Sequence, residues 1–281
     1  MPAILAIFNR FFLVLTASYA LIGVSVAALP TLAVEHYSWL GAKVFANECN
    51  SQPSCLTHWN DGENFPSLGI GHFIWYGQGQ TERFEETFPQ LLHYLQQQGV
   101  ALPPWLQSPL TADNPWPDKT AFYNEYDGEK MRQLRALLQS TMDLQAAFIA
   151  QRLENTAQDI VQSVPPAEQA ALASNFSRVA NSAGAMSLYA LIDYLHFKGS
   201  GLSEQEQYRQ QGWGLKQVLL TMNPNEPDAL FAFVSAAGNV LSTRVANAPP
   251  QRNEQRWLAG WQNRLQTYLE VPEQLQLAPG R

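Results

Sequence analysis

The chain has 281 residues with a formal net charge of −7, and 46% of its residues are hydrophobic against 15% charged. A chain of this length and apolar content can bury a substantial core, as one large domain or two small ones. Runs of lysine and arginine are absent, so nucleic acid is excluded as an expected partner, because it requires clustered cations. An acidic surface does not attract an anionic polymer over long range, so binding to such a polymer must come from local contacts.

The N-terminus has the layout of a secretory signal. Arg10 precedes an apolar run over residues 11–29. Mostly small residues, over 25–28, follow the core of that run. This order predicts cleavage near Ala27 or Ala28. An uncleaved anchor is the alternative, since the run is long enough to span a bilayer. Both readings place the rest of the chain in the periplasm or outside the cell, and we expect no stable membrane span after cleavage, because no later run is long and apolar enough.

The remaining chain predicts one helix, then a small β-element, then a series of helices. Residues 31–48 have helical spacing of apolar residues, and residues 49–76 are rich in Gly, Asn, Ser and Pro and predict a Gly-bent β-hairpin. Further helices are expected around residues 84–99, 131–138, 144–164, 167–183, 186–197, 228–246 and 257–268, and a capping box at Ser203 and Glu206 predicts another that runs toward Met222. The predicted fold class is mainly α, or α+β, with the β part near the N-terminus.

Cys49 and Cys55 are the two cysteines of the chain. An oxidising compartment lets them pair, so we expect a disulfide that closes a very short loop. Two cysteines with a single nearby histidine, His58, make a poor zinc site, and we expect no metal.

Glu48 is the first candidate for chemistry. It shares one helix face with Tyr37, Gly41 and Val44, so its carboxylate points where the apolar stripe points. A partly desolvated carboxylate is expected to have a raised pKa, as a general acid requires. The alternative is an ordinary solvated glutamate at a helix end.

Asp61 lies in a polar Asn-Asp-Gly turn, where a carboxylate stays hydrated and ionised. Two carboxyl groups in contrasting environments are the arrangement that glycoside hydrolysis uses. One group donates a proton to the glycosidic oxygen, and the other serves as a base or stabilises the transition state. The alternative for Asp61 is a plain turn residue.

The order of residues from Glu48 to His72 resembles the phage-type lysozymes. In that family an aspartate is followed six residues later by threonine and then by Ile-Gly-x-Gly-His. Here Asp61 is followed six residues later by Ser67 and then by Leu-Gly-Ile-Gly-His over 68–72. Ser67 thus replaces the usual threonine, and the segment between Glu48 and Asp61 is longer than usual.

The resemblance implies a lysozyme-like catalytic domain over residues 29–281, following a signal peptide over 1–28, with an enlarged helical lobe and a hairpin flanking the active-site cleft. It implies that Glu48 is the general acid and that Asp61 and Ser67 hold the attacking water. The structural residues of the motif are then Gly69 and Gly71, which let the hairpin bend, and His72.

Side chains for sugar binding are expected around the same loop. Trp59 stands where the family often has an aromatic residue, and it is grouped with Asn60, Trp75 and Tyr76 as candidate substrate contacts. For Trp75 and Tyr76, packing beneath the hairpin is the alternative.

Two further segments are weaker candidates. Asp193 and Lys198, near a predicted helix end, are candidates for the far wall of a cleft, with a solvated helix end as the alternative. Arg256, Trp257 and Arg264 resemble the Arg- and Trp-bearing last helices of phage-type lysozymes.

The expected function is a muramidase-type glycoside hydrolase that cleaves the glycan strand of peptidoglycan without metal or organic cofactor. One alternative is a lytic transglycosylase, or a chitosanase-like enzyme, that uses Glu48. Another is a non-catalytic module that binds cell-wall glycan on a lysozyme fold. The oligomeric state stays open.

Overall fold

The structure is a computed structural model that describes residues 24–26, 28–82, 84–108 and 113–270. Most of the predicted signal peptide, residues 1–23, and Ala27 at the expected cleavage position lie outside the described residues. Described residues on either side of Ala27 have no regular secondary structure and contact a later helix. There the Val26 amide donates to Gln158 Oε1 at 2.9 Å, and the Leu29 amide donates to Glu154.

The described residues form a mainly helical fold with two small antiparallel sheets. The helices are α1 (Val34–Cys49), α2 (Phe88–Gln97), α3 (Lys119–Asn124), α4 (Glu129–Ser140), α5 (Met142–Gln162), α6 (Pro166–Ala180), α7 (Ala185–Lys198), α8 (Leu215–Thr221), α9 (Ala229–Asn247) and α10 (Gln255–Gln266). The strands are β1 (Thr57–His58), β2 (Ser67–Leu68), β3 (Phe73–Ile74), β4 (Gln207–Tyr208) and β5 (Gln211–Gly212). The mainly helical class predicted from the sequence is confirmed.

Helix α1 packs closely along α5 and also contacts α7. Gly41 lies at the tightest point, where a Cβ atom would stand 2.6 Å from the backbone oxygen of Met142. Leu40 and Val44 are buried on the same side. This packing fixes the direction in which the last turn of α1 presents its side chains.

The predicted hairpin is part of a three-stranded antiparallel sheet with the strand order β1-β2-β3. The turn between β2 and β3 contains Gly69, whose φ of +66° is a left-handed conformation that glycine adopts without strain. The next amide, of Ile70, donates to Gln145 Oε1 at 3.0 Å. The sheet is thereby anchored to α5, beside the end of α1.

One continuous hydrophobic core extends from α1 through the sheet to the end of α10. Trp75 has no exposed area, and it packs against Phe88 of α2 with ring centroids 4.7 Å apart. The helices predicted from apolar spacing are present with shifted ends, and most of their predicted apolar residues are buried in this core, although Phe84 and Trp257 are exposed. Helix α3 lies between the helices expected around residues 84–99 and 131–138, and it was not predicted.

The helix predicted from Ser203 toward Met222 is wrong over its first half. The chain forms the β4–β5 hairpin there, and only the seven residues of α8 are helical. The Glu206 carboxylate accepts a hydrogen bond from the Gly201 amide at 2.5 Å rather than capping a helix. The segment is polar and lacks an apolar stripe, so a helix there would have no face to bury.

Helix α9 is the one described helix that is long and apolar enough to cross a bilayer. By length and composition α9 is thus an apolar run that was not expected, and the absence of a membrane span after signal cleavage stays a prediction. Half of the apolar window of α9 is buried within the protein, where it packs on α6, α8 and α10.

Candidate active site

Glu48 lies in the last turn of α1, and 23% of its side chain is exposed. This partial burial follows from its position on the same helix face as Gly41 and Val44, which are buried. The carboxylate lines a groove with a volume of about 560 Å³. A carboxyl group in this position can contact a molecule bound in the groove, although most of its side chain is covered by protein.

Cys49 and Cys55 form the predicted disulfide, with a Cα–Cα distance of 5.4 Å. It joins the end of α1 to the short 3-10 helix Pro53–Leu56 that leads into β1. Because Cys49 follows Glu48 directly, the bond holds the candidate acid beside the sheet. The two sulfurs and a ring nitrogen of His72 lie within 4.8 Å of one another, but sulfurs joined in a disulfide are not the thiolates that a metal binds.

Arg264 of α10 connects Glu48 to a buried carboxylate. Its Nη2 atom lies 3.3 Å from Glu48 Oε1 and 2.6 Å from Asp193 Oδ1, and its Nε atom donates to Asp193 Oδ2 at 2.8 Å. Burial opposes the charge of Arg264, but hydrogen bonding to Asp193 and the negative charge of that residue raise the pKa of the guanidinium above its usual value. Arg264 is therefore a fixed cation that orients Glu48.

The partners of Asp193 complete this network. Tyr268 donates its hydroxyl proton to Asp193 Oδ2 at 2.5 Å, and Asn47 Nδ2 donates to Asp193 Oδ1 at 3.1 Å and to the Tyr189 hydroxyl at 2.7 Å. Desolvation, followed by the charge of Asp193, raises the pKa of Tyr268 well above its ordinary value, so Tyr268 stays a proton donor. Asp193 is only 4% exposed, and these donors satisfy its carboxylate.

The groove brings Glu48 together with three other residues from the predicted motif. Asn60, Ser67 and His72 all line it, as do both cysteines, two tyrosines of α3 and the segment after it, and His58. Ser67 is 6% exposed and lies in β2 opposite His58. The described groove is thus lined by one carboxyl-bearing residue, two serines, two asparagines, two tyrosines and two histidines, besides the disulfide.

Asp61 is not among the residues that line this groove. Its side chain is fully exposed, and its carboxylate pairs with the Lys119 ammonium. The hydrogen bond and positive charge of Lys119 lower the pKa of Asp61 below its usual value. The structure therefore places the second predicted carboxylate on the surface as an ionised partner of lysine.

Three of the residues expected to contact sugar lie in the core instead. Trp59 is 2% exposed, Trp75 is fully buried and Tyr76 is 5% exposed. Their rings pack against other aromatic residues. The ring centroid of Phe122, for example, lies 5.6 Å from that of Trp59. The expectation that they bind substrate is corrected, because buried rings present no face to a ligand.

A second cavity, of about 280 Å³, adjoins the groove through His72, which lines both. The sheet, α5 and α7 form its walls, with Arg152 and His196 among the polar lining residues. Desolvation lowers the pKa of His196, while the negative charge of Glu48 opposes this shift. His196 was not predicted as a site residue. The one feature of the sequence that pointed to it is its position three residues after Asp193.

Comparisons with known proteins add no assignment to this site. No protein-family model, no curated protein and no solved structure matches the chain.

Proposed function

We propose that this chain is a muramidase-type glycoside hydrolase that cleaves the glycan strand of peptidoglycan, with Glu48 as the general acid. The observation that carries the proposal is the position of Glu48. Its partly buried carboxyl group lies on a groove of about 560 Å³, and Arg264 holds it in one orientation. A general acid must be held within hydrogen-bond reach of the oxygen that it protonates, and this support provides such positioning.

The hydrogen bonds of Arg264 leave one oxygen of Glu48 free of that residue. Asp193 accepts two hydrogen bonds from Arg264, whereas Glu48 accepts one longer bond through Oε1. Since Glu48 Oε1 is that acceptor, Oε2 is the oxygen that carries the proton and donates it to the leaving sugar. Cleavage then leaves Glu48 ionised and stabilised by Arg264, until Glu48 takes up the proton that the attacking water loses as it adds to the sugar.

Ser67 is the residue that we assign to the attacking water. Its position in β2 places it on the part of the groove wall that the sheet forms, and a hydroxyl group can orient a water molecule as donor or acceptor. Asp61 has no assigned role in this proposal, because its carboxylate is paired with Lys119 outside the groove. This differs from what the lysozyme resemblance implies.

One observation favours a second candidate, a lytic transglycosylase. Glu48 is the only carboxylate among the described residues that line the groove. A transglycosylase needs one such group, because a hydroxyl of the sugar itself attacks in place of water and leaves a 1,6-anhydro end. Analysis of the products separates the two, since hydrolysis leaves a reducing end.

The test of the shared claim is a peptidoglycan clearing assay with wild type and the variant Glu48→Gln. Loss of the general acid is expected to lower the rate by about 10²-fold or more. Glu35→Gln is the matched control, because Glu35 is an exposed residue in the first turn of the same helix. Equal clearing by wild type and Glu48→Gln would contradict the proposal, and absence of clearing by wild type would favour a non-catalytic glycan-binding module.

A further inference from the structure

Helix α10 carries positive charge and exposed aromatic surface. It contains two arginines and no acidic residue, in a chain whose net charge is −7. Trp257 of this helix is 39% exposed, and its ring lies 6.0 Å from that of Trp261. The Arg256 guanidinium stands 4.5 Å from the centre of the Trp257 ring. An acidic protein thus presents indole rings and cations together on one surface helix.

These aromatic rings lead toward the groove. Phe197, at the end of α7, lies 6.4 Å from the Trp261 ring, and the Arg264 guanidinium stands 4.4 Å from the centre of the Phe197 ring. Arg264 in turn contacts Glu48. The aromatic–cationic strip, defined as Phe197, Lys198, Arg256, Trp257 and Trp261, is therefore connected through Arg264 to the candidate acid.

Arg256 is the cation of the strip that is open to an incoming anion, because it is exposed, whereas Lys198 is only 7% exposed. Among the described residues, neither Lys198 nor Arg256 takes part in a salt bridge. The Lys198 ammonium lies against aromatic rings, 3.4 Å from the centre of the Trp261 ring. The nearby acid Glu254 has a fully buried side chain that is bonded to Arg244, although its negative charge still acts on Lys198.

We propose that the aromatic–cationic strip binds a carboxylated segment of the glycan substrate, and that it selects anionic over neutral amino-sugar polymers. Exposed indole rings pack against the apolar faces of sugars, and arginine and lysine pair with carboxylates. Such local contacts are the means by which a protein of net charge −7 can hold an anionic polymer. This inference rests on the proposed function and names its substrate class.

The test compares binding of two matched probes by the Glu48→Gln protein, which limits turnover. The probes are soluble peptidoglycan fragments with free carboxylates and the same fragments with those carboxylates converted to amides. Arg256→Gln is expected to weaken binding of the carboxylated probe about fivefold and to leave the amidated probe unchanged. Trp257→Ala is expected to weaken both about fivefold. Phe231→Ala is the control, since this aromatic residue of α9 is 48% exposed and lies outside the strip.

Three results would overturn the inference. The first is that Arg256→Gln and Trp257→Ala bind both probes as tightly as their parent protein. The second is that the two probes bind equally well to that parent. The third is that the strip variants lose binding to vesicles of anionic phospholipid while fragment binding is unchanged, which would assign the strip to a membrane surface. Failure of the proposed function is a separate result, because it is measured by clearing with Glu48→Gln and not by binding.

Discussion

The Arg264 guanidinium and the Glu48 carboxylate meet at 3.3 Å, although the two residues are 216 positions apart in the chain. The contact joins the last described helix to the first one. Its geometry depends on Asp193, which is buried and holds Arg264 through two hydrogen bonds. The orientation of the candidate acid is therefore set by residues that lie far from it in the sequence.

The variant Asp193→Asn tests this dependence. Arg264 would keep Glu48 as its only carboxylate partner, so its positive charge would favour the ionised form of Glu48 and leave less of the form that can donate a proton. We expect the rate of glycan cleavage to fall about 10- to 100-fold and its maximum to move to lower pH. Loss of a buried charge partner is also expected to lower the free energy of unfolding by about 3–5 kcal/mol.

Glu254→Gln is the control for Asp193→Asn. Glu254 is a buried carboxylate that pairs with Arg244 near the other end of α10. The Glu254→Gln variant is expected to lower the stability of the protein but to leave the pH profile of the cleavage rate unchanged. If Asp193→Asn lowers stability but leaves the pH profile of wild type, Asp193 is structural only and the positioning account is wrong.

The position of Asp61 gives a prediction that differs from the role that the resemblance to phage-type lysozymes implies. Because its carboxylate lies outside the groove and pairs with Lys119, Asp61→Asn is expected to retain cleavage activity within about twofold of wild type. Ser67→Ala is expected to lose about 10-fold, since the hydroxyl orients the water. Steady-state rates on purified peptidoglycan check both. A 10²-fold loss in Asp61→Asn would mean that Asp61 enters the groove during catalysis.

The disulfide is expected to stabilise the protein and to hold the end of α1. Removing it in the double variant Cys49→Ser, Cys55→Ser should lower the free energy of unfolding by about 2 kcal/mol, because the closed loop is short, with a sequence separation of 6. Urea unfolding with and without a dithiol reductant measures this. Wild type in reductant should match the double variant in oxidant, and a difference between them would show that the substitutions act in some other way.

Lys198 makes binding of an anionic glycan depend on pH. Burial, followed by the positive charges of Arg244 on α9 and of Arg264 on α10, lowers the pKa of Lys198 to about 7, while Glu254 opposes the shift. The ammonium is therefore charged below pH 7 and neutral above it, and an anionic ligand favours the charged form. Affinity for the carboxylated fragment is expected to be about threefold higher at pH 6 than at pH 8.5.

The matched measurement is the dissociation constant of Lys198→Met at the same two pH values. This variant has no titrating amine at the strip, so its affinity should be the same at both. An identical pH dependence in Lys198→Met and wild type would show that another group is responsible.

Local patterns were sufficient to predict most helices and part of the site. The spacing from Gly41 through Val44 to Glu48 predicted the direction of the acid, and the expected export to an oxidising compartment predicted that Cys49 and Cys55 form a disulfide. These features depend on neighbours within two helical turns, which sequence periodicity reports directly.

Features that depend on distant contacts could not be predicted. The pairing of Arg264 with Asp193 is set by how α7 and α10 pack, and the salt bridge from Lys119 to Asp61 by an unpredicted helix. Trp75 has the same sequence signature whether it packs in a core or faces a ligand, and only its burial decides between them.

The central claim is that Glu48 donates the proton that breaks a glycosidic bond, and mass spectrometry of the fragments released from purified peptidoglycan tests it most directly. Wild type is expected to release fragments with newly formed sugar ends, and the Glu48→Gln protein, folded to the same extent by circular dichroism, is expected to release at least about 10²-fold less. Release of the same fragments at the same rate by both proteins would contradict the account.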